Sequence, residues 1–242
     1  MATGKRRTST ANGVRAPLQE RSQRSFDRVL DTALELLAEK GYSGFTITEV
    51  SRRSGVSTGS IYTRVDGRDD LLRAAQERFN ERMAVEHLAL TDPQRWAGLP
   101  LAQLLPSLVK ETAAMLERNG AVLGAFLQRG AIDPAVASAG KASYQDLYDR
   151  FTALLLTRGD EIRHPDPVRA AGSCFVTVYA VLARALALDV AAEAAEGSNL
   201  GTLVEDVAKM SLAFLLSPPD REPAGPADAH HAVRSDIAAC AG

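Results

Sequence analysis

Residues 46–63 read TITEVSRRSGVSTGSIYT, which contains two short helical segments on either side of a glycine. Thr46 followed three residues later by Glu49 is a capping-box pattern, which predicts the start of a helix. Gly55 ends that helix, and Ser57 is a suitable N-cap for a second helix of about two turns. Two short helices joined by a turn that contains glycine form a helix-turn-helix, which is the structure predicted here.

Helical patterns continue on both sides of this motif. The sequence SFDRVLDTALELLAEKGY, residues 25–42, has apolar residues at helical spacing, and Gly41 offers a C-terminal cap. The acidic pair Asp69 and Asp70 suits the first turn of a longer helix over residues 68–90. Five further helices are predicted from periodicity and from Gly, Pro and Asn breaks, at 100–118, 120–129, 133–158, 165–190 and 198–216.

The composition favours an all-α fold. The chain has 242 residues, of which 45% are hydrophobic and only 5% aromatic, and β-branched runs are scarce. We predict an N-terminal three-helix domain with the helix-turn-helix, followed by a larger helical domain. The predicted organisation is a disordered basic tail, the helix-turn-helix domain, the larger domain and a disordered tail, over residues 1–20, 21–68, 69–217 and 218–242.

Charge is distributed unevenly along the chain. Residues 1–82 contain 15 Lys and Arg against 11 Asp and Glu, whereas the remaining residues contain 13 against 19. A basic N-terminal part on an acidic body indicates an anionic partner at one end.

The sequence also bears on the cell compartment. Two cysteines, Cys174 and Cys240, do not form a disulfide framework, and the basic N-terminus lacks the apolar core of a secretory signal. The apolar segment 170–188 is about long enough to cross a bilayer, but it contains Arg184, so we interpret it as a buried interface helix. We therefore expect a cytoplasmic protein that does not contact the membrane.

Residues 25–72, which include RVLDTALELLAEKGYSGFTITEVSRRSGVSTGSIYTRVDGRDDLL, resemble the DNA-binding domain of the TetR (tetracycline repressor) family of bacterial regulators. The glycine turn, the serine cap, the second glycine, the aliphatic-tyrosine pair and the basic residue occur at the spacing of that family. The resemblance implies a homodimer in which the last two long helices of each subunit form a four-helix interface. It also implies a repressor that a small molecule releases from an inverted-repeat operator in double-stranded DNA.

The residues of the motif have separate predicted roles at the DNA. Hydroxyl groups contact phosphates or bases, Gly59 allows the backbones to approach closely, and Tyr62 and Arg68 contact phosphates. The full set of predicted DNA-binding residues is Thr46, Thr48, Ser57, Thr58, Gly59, Ser60, Tyr62, Thr63 and Arg68.

Two further sets of residues are predicted in the larger domain. Aromatic side chains are candidates to line a cavity for a lipophilic effector, and they are Trp96, Phe126, Tyr144, Phe151, Phe175 and Tyr179. The apolar faces of the last two helices exceed what one core readily hides, which independently favours a dimer interface. The predicted interface residues are Val178, Val181, Leu182, Leu186, Leu203, Val207 and Phe214.

The sequence shows no pattern typical of catalysis. Asp146 and Asp149 lie three residues apart on one helix, but no combination of nucleophile, base and orienting group, phosphate loop or metal-ligand cluster is visible. We therefore predict no enzyme activity, no cofactor and no metal site. Two alternatives stay open, namely a DNA-binding regulator without a small-molecule ligand and a helical enzyme. The absence of a cavity in the larger domain would favour the first alternative. A convergent set of polar residues in a deep pocket would favour the second.

Overall fold

The computed structural model describes residues 18–186 and 199–218, and it consists of α-helices joined by short connections. The predicted all-α fold is confirmed. In chain order the helices are α1 Leu18–Gly44, α2 Ile47–Ser54, α3 Thr58–Tyr62, α4 Arg68–Leu90, α5 Leu101–Gly130, α6 Pro134–Leu156, α7 Pro167–Ala185 and α8 Leu200–Leu215. The predicted disordered tails lie outside the described residues, apart from residues 18–20 and 218.

Helices α1, α2 and α3 form a small three-helix unit around a shared core. Val29, Phe45, Val50 and Ile61 are fully buried in it, one or more from each part of the unit. Helix α1 begins at Leu18, three residues before the predicted domain boundary, and it bends at Gly41, whose φ is 60°. A left-handed φ at this position explains why glycine stands there. The domain boundaries themselves stay a prediction.

Helix α4 links this unit to the rest of the chain. It spans Arg68–Leu90, the range predicted from the sequence, and Asp69 and Asp70 lie in its first turn. It packs against α1 on one side and against α6 on the other. One helix therefore contacts both the helix-turn-helix unit and the larger helical body.

The predicted helix break at Asn119 and Gly120 is wrong, because α5 runs without interruption from Leu101 to Gly130. A glycine in a helix interior costs only about 1 kcal/mol. Tertiary contacts outweigh that cost, since the Asn119 amide donates to Glu86 of α4 and the nearby Phe126 is buried.

Helices α7 and α8 pack against each other and against α5 and α6. Of the described helices, α7 is the one long and apolar enough to cross a membrane, with a mean hydropathy of 1.3. Phe175, Val178 and Leu182 on its inner face are buried within the subunit, as in a core helix of a helical bundle. Cys174 is buried on the same face, as expected from its apolar surroundings.

Candidate functional site

The short helix α3 is held in place by its first residues. Ser57 is the N-cap, and its Oγ accepts a hydrogen bond from the backbone N–H of Ser60 at 3.2 Å. The two hydroxyl groups of Ser57 and Ser60 also lie 2.9 Å apart. Thr63 closes the other end by donating its hydroxyl to the carbonyl of Ser60 at 2.7 Å. Side-chain hydroxyls therefore stabilise a five-residue helix that backbone bonds alone would hold weakly.

The turn between α2 and α3 fixes the angle of α3. Gly55 has a φ of 69°, a left-handed conformation that favours glycine, and its N–H bonds to the carbonyl of Ser51. The Ser51 hydroxyl in turn donates to the carbonyl of Val56 at 2.7 Å. Ile61, which is fully buried, anchors α3 to the core from the inner side.

The outer side of α3 is exposed to solvent. A phenol protrudes from it, because the Tyr62 side chain is 55% exposed. At Gly59 an added Cβ atom would meet no other atom within 4 Å. Packing within the chain therefore does not require glycine at position 59. Most of the predicted DNA contacts are exposed, namely Thr46 and Thr48 at the start of α2, and Ser57, Thr58, Gly59, Ser60, Tyr62 and Thr63 in α3 and at its two ends.

A polar groove of about 670 Å³ runs between α1 and α3. Arg21 and Arg28 of α1 and Arg64 after α3 contribute cationic groups to it. Arg64 is positioned by Ser22, whose hydroxyl accepts a hydrogen bond at 2.8 Å, and by the ring of Phe26, 5.3 Å from its guanidinium carbon. Arg28 and Arg64 are not among the residues predicted from the sequence, although their positive charge close to the helix-turn-helix was a usable signal.

The capping box at the start of α2 forms only in part. Thr46 Oγ1 accepts from the N–H of Glu49, as predicted. The Glu49 carboxylate instead receives hydrogen bonds from Arg52 and Arg53, which hold the pKa of Glu49 at about 2. Two cations of α2 are therefore already paired within the chain.

The predicted phosphate contact of Arg68 is not supported by its position. The guanidinium carbon of Arg68 lies 3.9 Å from the centre of the Tyr42 ring, and Nη2 donates to the backbone carbonyl of Tyr42. Arg68 is thus engaged inside the protein, where it joins the start of α4 to the end of α1. The sequence spacing predicts that Arg68 lies at the start of α4, but it does not determine the direction of the side chain.

A cavity of about 420 Å³ lies between α4, α5 and α6, with one residue from α7. Most of its wall is apolar, with a few amides, a histidine and a lysine. Its lining residues are Gln76, Phe79, Asn80, Met83, His87, Met115, Leu116, Leu123, Phe126, Leu127, Gly130, Val136, Ala137, Gly140, Lys141, Ser143, Tyr144, Leu147 and Tyr179.

The predicted ligand residues divide into two groups. Phe126, Tyr144 and Tyr179 line the cavity. Phe151 and Phe175 do not line it, because they are fully buried behind it in an aromatic cluster whose ring centres are 5.2 Å apart.

Trp96 does not line the cavity either. Its ring is buried, and its indole N–H donates to the carbonyl of Leu90 at 2.7 Å, at the end of α4. Trp96 therefore has a structural role in the connection between α4 and α5.

Several polar groups of the cavity fix its walls. The Gln76 and Asn80 amides donate to the carbonyls of Val136 and Ala139 at 2.9 and 3.2 Å, which fastens α4 to the start of α6. His87 Nδ1 lies 2.9 Å from a carboxylate oxygen of Asp146. Burial lowers the pKa of His87, although the hydrogen bond with Asp146 acts in the opposite direction. Gln76, Asn80 and His87 are not among the residues predicted from the sequence, because their role depends on which face of α4 meets α6.

Comparison with known proteins agrees with this arrangement. Residues 29–75, which cover most of α1, all of α2 and α3 and the start of α4, match the family model of bacterial regulatory proteins of the tetR family. The helix-turn-helix unit of this chain is therefore a DNA-binding domain of the TetR type.

One curated TetR-family relative shares sequence with the N-terminal part. The negative transcriptional regulator IcaR of the biofilm operon icaADBC from Staphylococcus epidermidis is 33% identical over 55 residues, which are 22% of this chain. The match spans 30% of the length of that relative.

Solved structures share the whole fold. A protein from Mesorhizobium loti assigned to the TetR family has a TM-score of 0.66 at 18% identity, covering 81% of this chain and 96% of that one. A protein from Saccharomonospora viridis, assigned as a transcriptional regulator and solved in complex with choline, has a TM-score of 0.62 at 16% identity, covering 78% and 95%.

A polar network joins this TetR-type helix-turn-helix unit to the larger body. Tyr42 donates its hydroxyl to Asp69, and Arg129 at the end of α5 donates to the other carboxylate oxygen of Asp69 at 3.0 Å. The guanidinium carbon of Arg129 also lies 4.6 Å from the centre of the Tyr42 ring. We call Tyr42, Arg68, Asp69, Arg73, Arg129 and Asp133 the junction network.

Asp133 connects the junction network to the wall of the cavity. It is the N-cap of α6, and its carboxylate accepts hydrogen bonds from the N–H groups of Ala135 and Val136. Its Oδ2 also accepts a hydrogen bond from Nη2 of Arg73 in α4 at 3.0 Å. Burial acts to raise the pKa of its carboxyl, but these hydrogen bonds lower it overall. Since Val136 and Gly130 line the cavity, the network begins where a ligand would lie.

The predicted dimer residues also divide into two groups. Val178, Leu182 and Val207 are buried within one subunit, so they are core residues and not interface residues. Val181, Leu186 and Leu203 are partly buried, and Phe214 is exposed.

Other apolar side chains form the outer faces of α7 and α8. Val176 is 49% exposed and Met210 is 66% exposed. Periodicity identified α7 and α8 as apolar helices, but it did not distinguish their inner faces from their outer faces.

Proposed function

We propose that this chain is a dimeric DNA-binding transcriptional regulator, most simply a repressor, whose affinity for DNA falls when a small, largely apolar molecule occupies the cavity. The observation that carries the DNA-binding part is the outer side of α3. The hydroxyls of Ser57 and Ser60 and the open Gly59 share a groove with cationic Arg28 and Arg64, and Tyr62 protrudes into solvent. Helix N-termini and hydroxyls contact phosphates and base edges in this way when a recognition helix enters the major groove.

Repression is supported by the relative from S. epidermidis, which is a negative regulator. A dimer is supported by exposed apolar side chains on α7 and α8, such as Val176 and Met210, which a second copy would cover. Twofold symmetry of the protein matches an inverted-repeat operator.

The cavity favours regulation by a ligand over a regulator without one. Its volume of about 420 Å³ lies within the common range for small-molecule sites. The S. viridis structure contains choline, so a chain with this fold can hold a small organic molecule.

The junction network offers a physical route between the two functions. A ligand against Val136 and Gly130 would displace Asp133 and Arg129, which hold the first turn of α4 through Arg73 and Asp69. The ligand releases the protein from DNA only if it binds more tightly to the conformation in which α3 is not positioned to bind DNA.

Selection of bound sequences from random DNA by the purified full-length protein tests this function. We expect an inverted repeat, bound with a steep dependence on salt, because each neutralised phosphate contributes a slope of about −0.9 in log K against log salt. Recovery of no preferred sequence, or binding to the selected repeat that does not change with salt, would contradict the proposal.

A further inference from the structure

The charged and hydrogen-bonding groups of the cavity indicate the chemistry of its ligand, if the proposed ligand function is correct. Among the lining residues Lys141 is the one Lys or Arg, and none is Asp or Glu. Lys141 is exposed, so it lies at the mouth of the cavity, and it forms no ion pair with any residue that the structure describes. The Lys141 ammonium would repel a ligand cation at this position.

Three hydroxyl groups of this wall are free to donate a hydrogen bond to a ligand. The hydroxyls of Ser143, Tyr144 and Tyr179 have no hydrogen-bond acceptor among residues 18–186 and 199–218. Burial raises the pKa values of Tyr144 and Tyr179, so both phenols keep their protons. The Gln76 and Asn80 amides each donate one hydrogen bond within the protein, and their oxygens can accept from a ligand.

The rest of the wall is suited to a hydrocarbon chain. Phe79, Met83, Met115, Leu116 and Phe126 form a contiguous apolar surface, and each is largely buried. Burial of apolar ligand surface against such a wall contributes about 25 cal/mol per Å². The polar residues that α6 contributes to the wall are Lys141, Ser143 and Tyr144.

We propose that the ligand is a monoanionic amphiphile, whose apolar chain lies between α4, α5 and α6 and whose carboxylate or similar anion lies at Lys141. The anion pairs with the Lys141 ammonium, and the Tyr144 hydroxyl, three residues further along α6 on the same face of the helix, can add a hydrogen bond. A volume of about 420 Å³ favours a chain of moderate length, because sites for drug-sized ligands span about 300–1,000 Å³.

Calorimetry of the full-length protein with three ten-carbon probes tests the proposal. The probes are decanoate, the neutral decanamide and the cationic decyltrimethylammonium, each used below the concentration at which it forms micelles. We expect Lys141→Met to weaken decanoate by about fivefold, as for an ion pair at the protein surface, and to leave decanamide unchanged. The loss should shrink at high salt, where the pair is screened.

Two variants act as controls. Lys110→Met removes an exposed lysine of α5 that does not line the cavity, and it should change none of the three affinities. Gly140→Leu should stop binding of both decanoate and decanamide, because a Cβ at position 140 lies 3.9 Å from Gln76 and the larger side chain fills the cavity.

The outcomes test separately whether the ligand is an anion and whether the cavity binds a ligand at all. If Lys141→Met weakens decanoate and decanamide equally, or if decyltrimethylammonium binds more tightly than decanoate, the anion assignment is wrong while the cavity still binds ligands. If no probe binds the unmodified protein, both the anion assignment and the ligand function fail. In that case the selection of bound DNA sequences still tests the DNA-binding function independently.

Discussion

Arg129 and Asp69 lie 60 residues apart in the chain, and Nη2 of the arginine donates to Oδ2 of the aspartate at 3.0 Å. The contact joins the end of α5 to the first turn of α4, directly behind the helix-turn-helix unit. Only 15% of the Arg129 side chain is exposed, so the pair is partly protected from solvent.

We expect Arg129→Met and Asp69→Asn to reduce the coupling between cavity and DNA. With the contact removed, movement of the α5 end reaches α4 less directly. The measurement is the affinity for the selected operator with and without saturating decanoate. We expect the ratio of the two affinities to fall by about fivefold, within the usual range of coupling energies of 1–3 kcal/mol.

Arg118→Met is the matched control for that experiment. It removes a pair between α5 and Glu86 of α4 that lies away from the junction network. The double variant Arg129→Met with Asp69→Asn should lose little more coupling than either single variant. Full additivity of the two effects would show that the residues act independently.

Gly59→Ala should raise stability and lower DNA affinity. The free protein has open space at this position, and alanine is favoured over glycine in a helix by about 1 kcal/mol. On DNA the added methyl group would collide with the duplex, and overpacking of about 1–3 kcal/mol corresponds to roughly a tenfold loss or more. Thermal unfolding and operator titration measure the two effects, and unchanged DNA affinity would place α3 away from the DNA backbone.

Tyr62→Phe should weaken binding to all DNA sequences to the same extent. The exposed phenol is placed to donate to a phosphate, and such a bond to a charged group is worth about 1.5–3 kcal/mol. Thr58→Val should instead change which bases are preferred, since base contacts discriminate by about 1–3 kcal/mol. Sequence selection with each variant checks the assignment, which is wrong if Tyr62→Phe alters the preferred sequence and leaves affinity intact.

Val176→Asp and Met210→Asp should produce a folded monomer. Both side chains are largely exposed on the outer faces of α7 and α8, so a charge there harms an interface and not the subunit core. Leu182→Asp is the contrasting variant, because Leu182 is fully buried and its substitution should prevent folding. Sedimentation and circular dichroism distinguish the cases, and a dimeric Val176→Asp/Met210→Asp protein would place the interface elsewhere.

Cys174 should react slowly with thiol reagents in the folded protein. Burial raises the pKa of its thiol to about 11, so the reactive thiolate is scarce at pH 8 and its fraction increases about tenfold per pH unit below that pKa. In a Cys240→Ser variant, alkylation at pH 8 should be at least a hundredfold slower than in urea. A rate in the folded variant equal to the rate in urea would show that the helix pair α7 and α8 opens readily.

The sequence predicted the parts of the fold that local chemistry controls. Thr46 and Ser57 cap their helices, Gly55 and Gly41 adopt left-handed backbone, and α4 has the predicted bounds. In each case the deciding interaction lies within a few residues of the chain. Local patterns are sufficient for such features.

Direction and depth of side chains were harder to predict. Arg68 was expected at a phosphate and instead lies against Tyr42, 26 residues earlier in the chain. Phe175 was expected in the cavity and instead belongs to an aromatic core with Phe151. Leu182 was expected at an interface and is buried within the subunit. All three outcomes depend on how helices rotate against one another, which periodicity does not specify.

The length of α4 has a mechanical consequence. The same helix contributes Asp69 to the junction network and Met83 to the cavity wall, and at 1.5 Å per residue these points are about 20 Å apart. A helix works as a stiff lever over that distance, so a tilt of about 5° at one end moves the other end by nearly 2 Å. In a dimer the two levers would add their displacements. A small change at the cavity would thereby alter the separation of the two α3 helices by an amount that the fixed spacing of DNA half-sites does not tolerate.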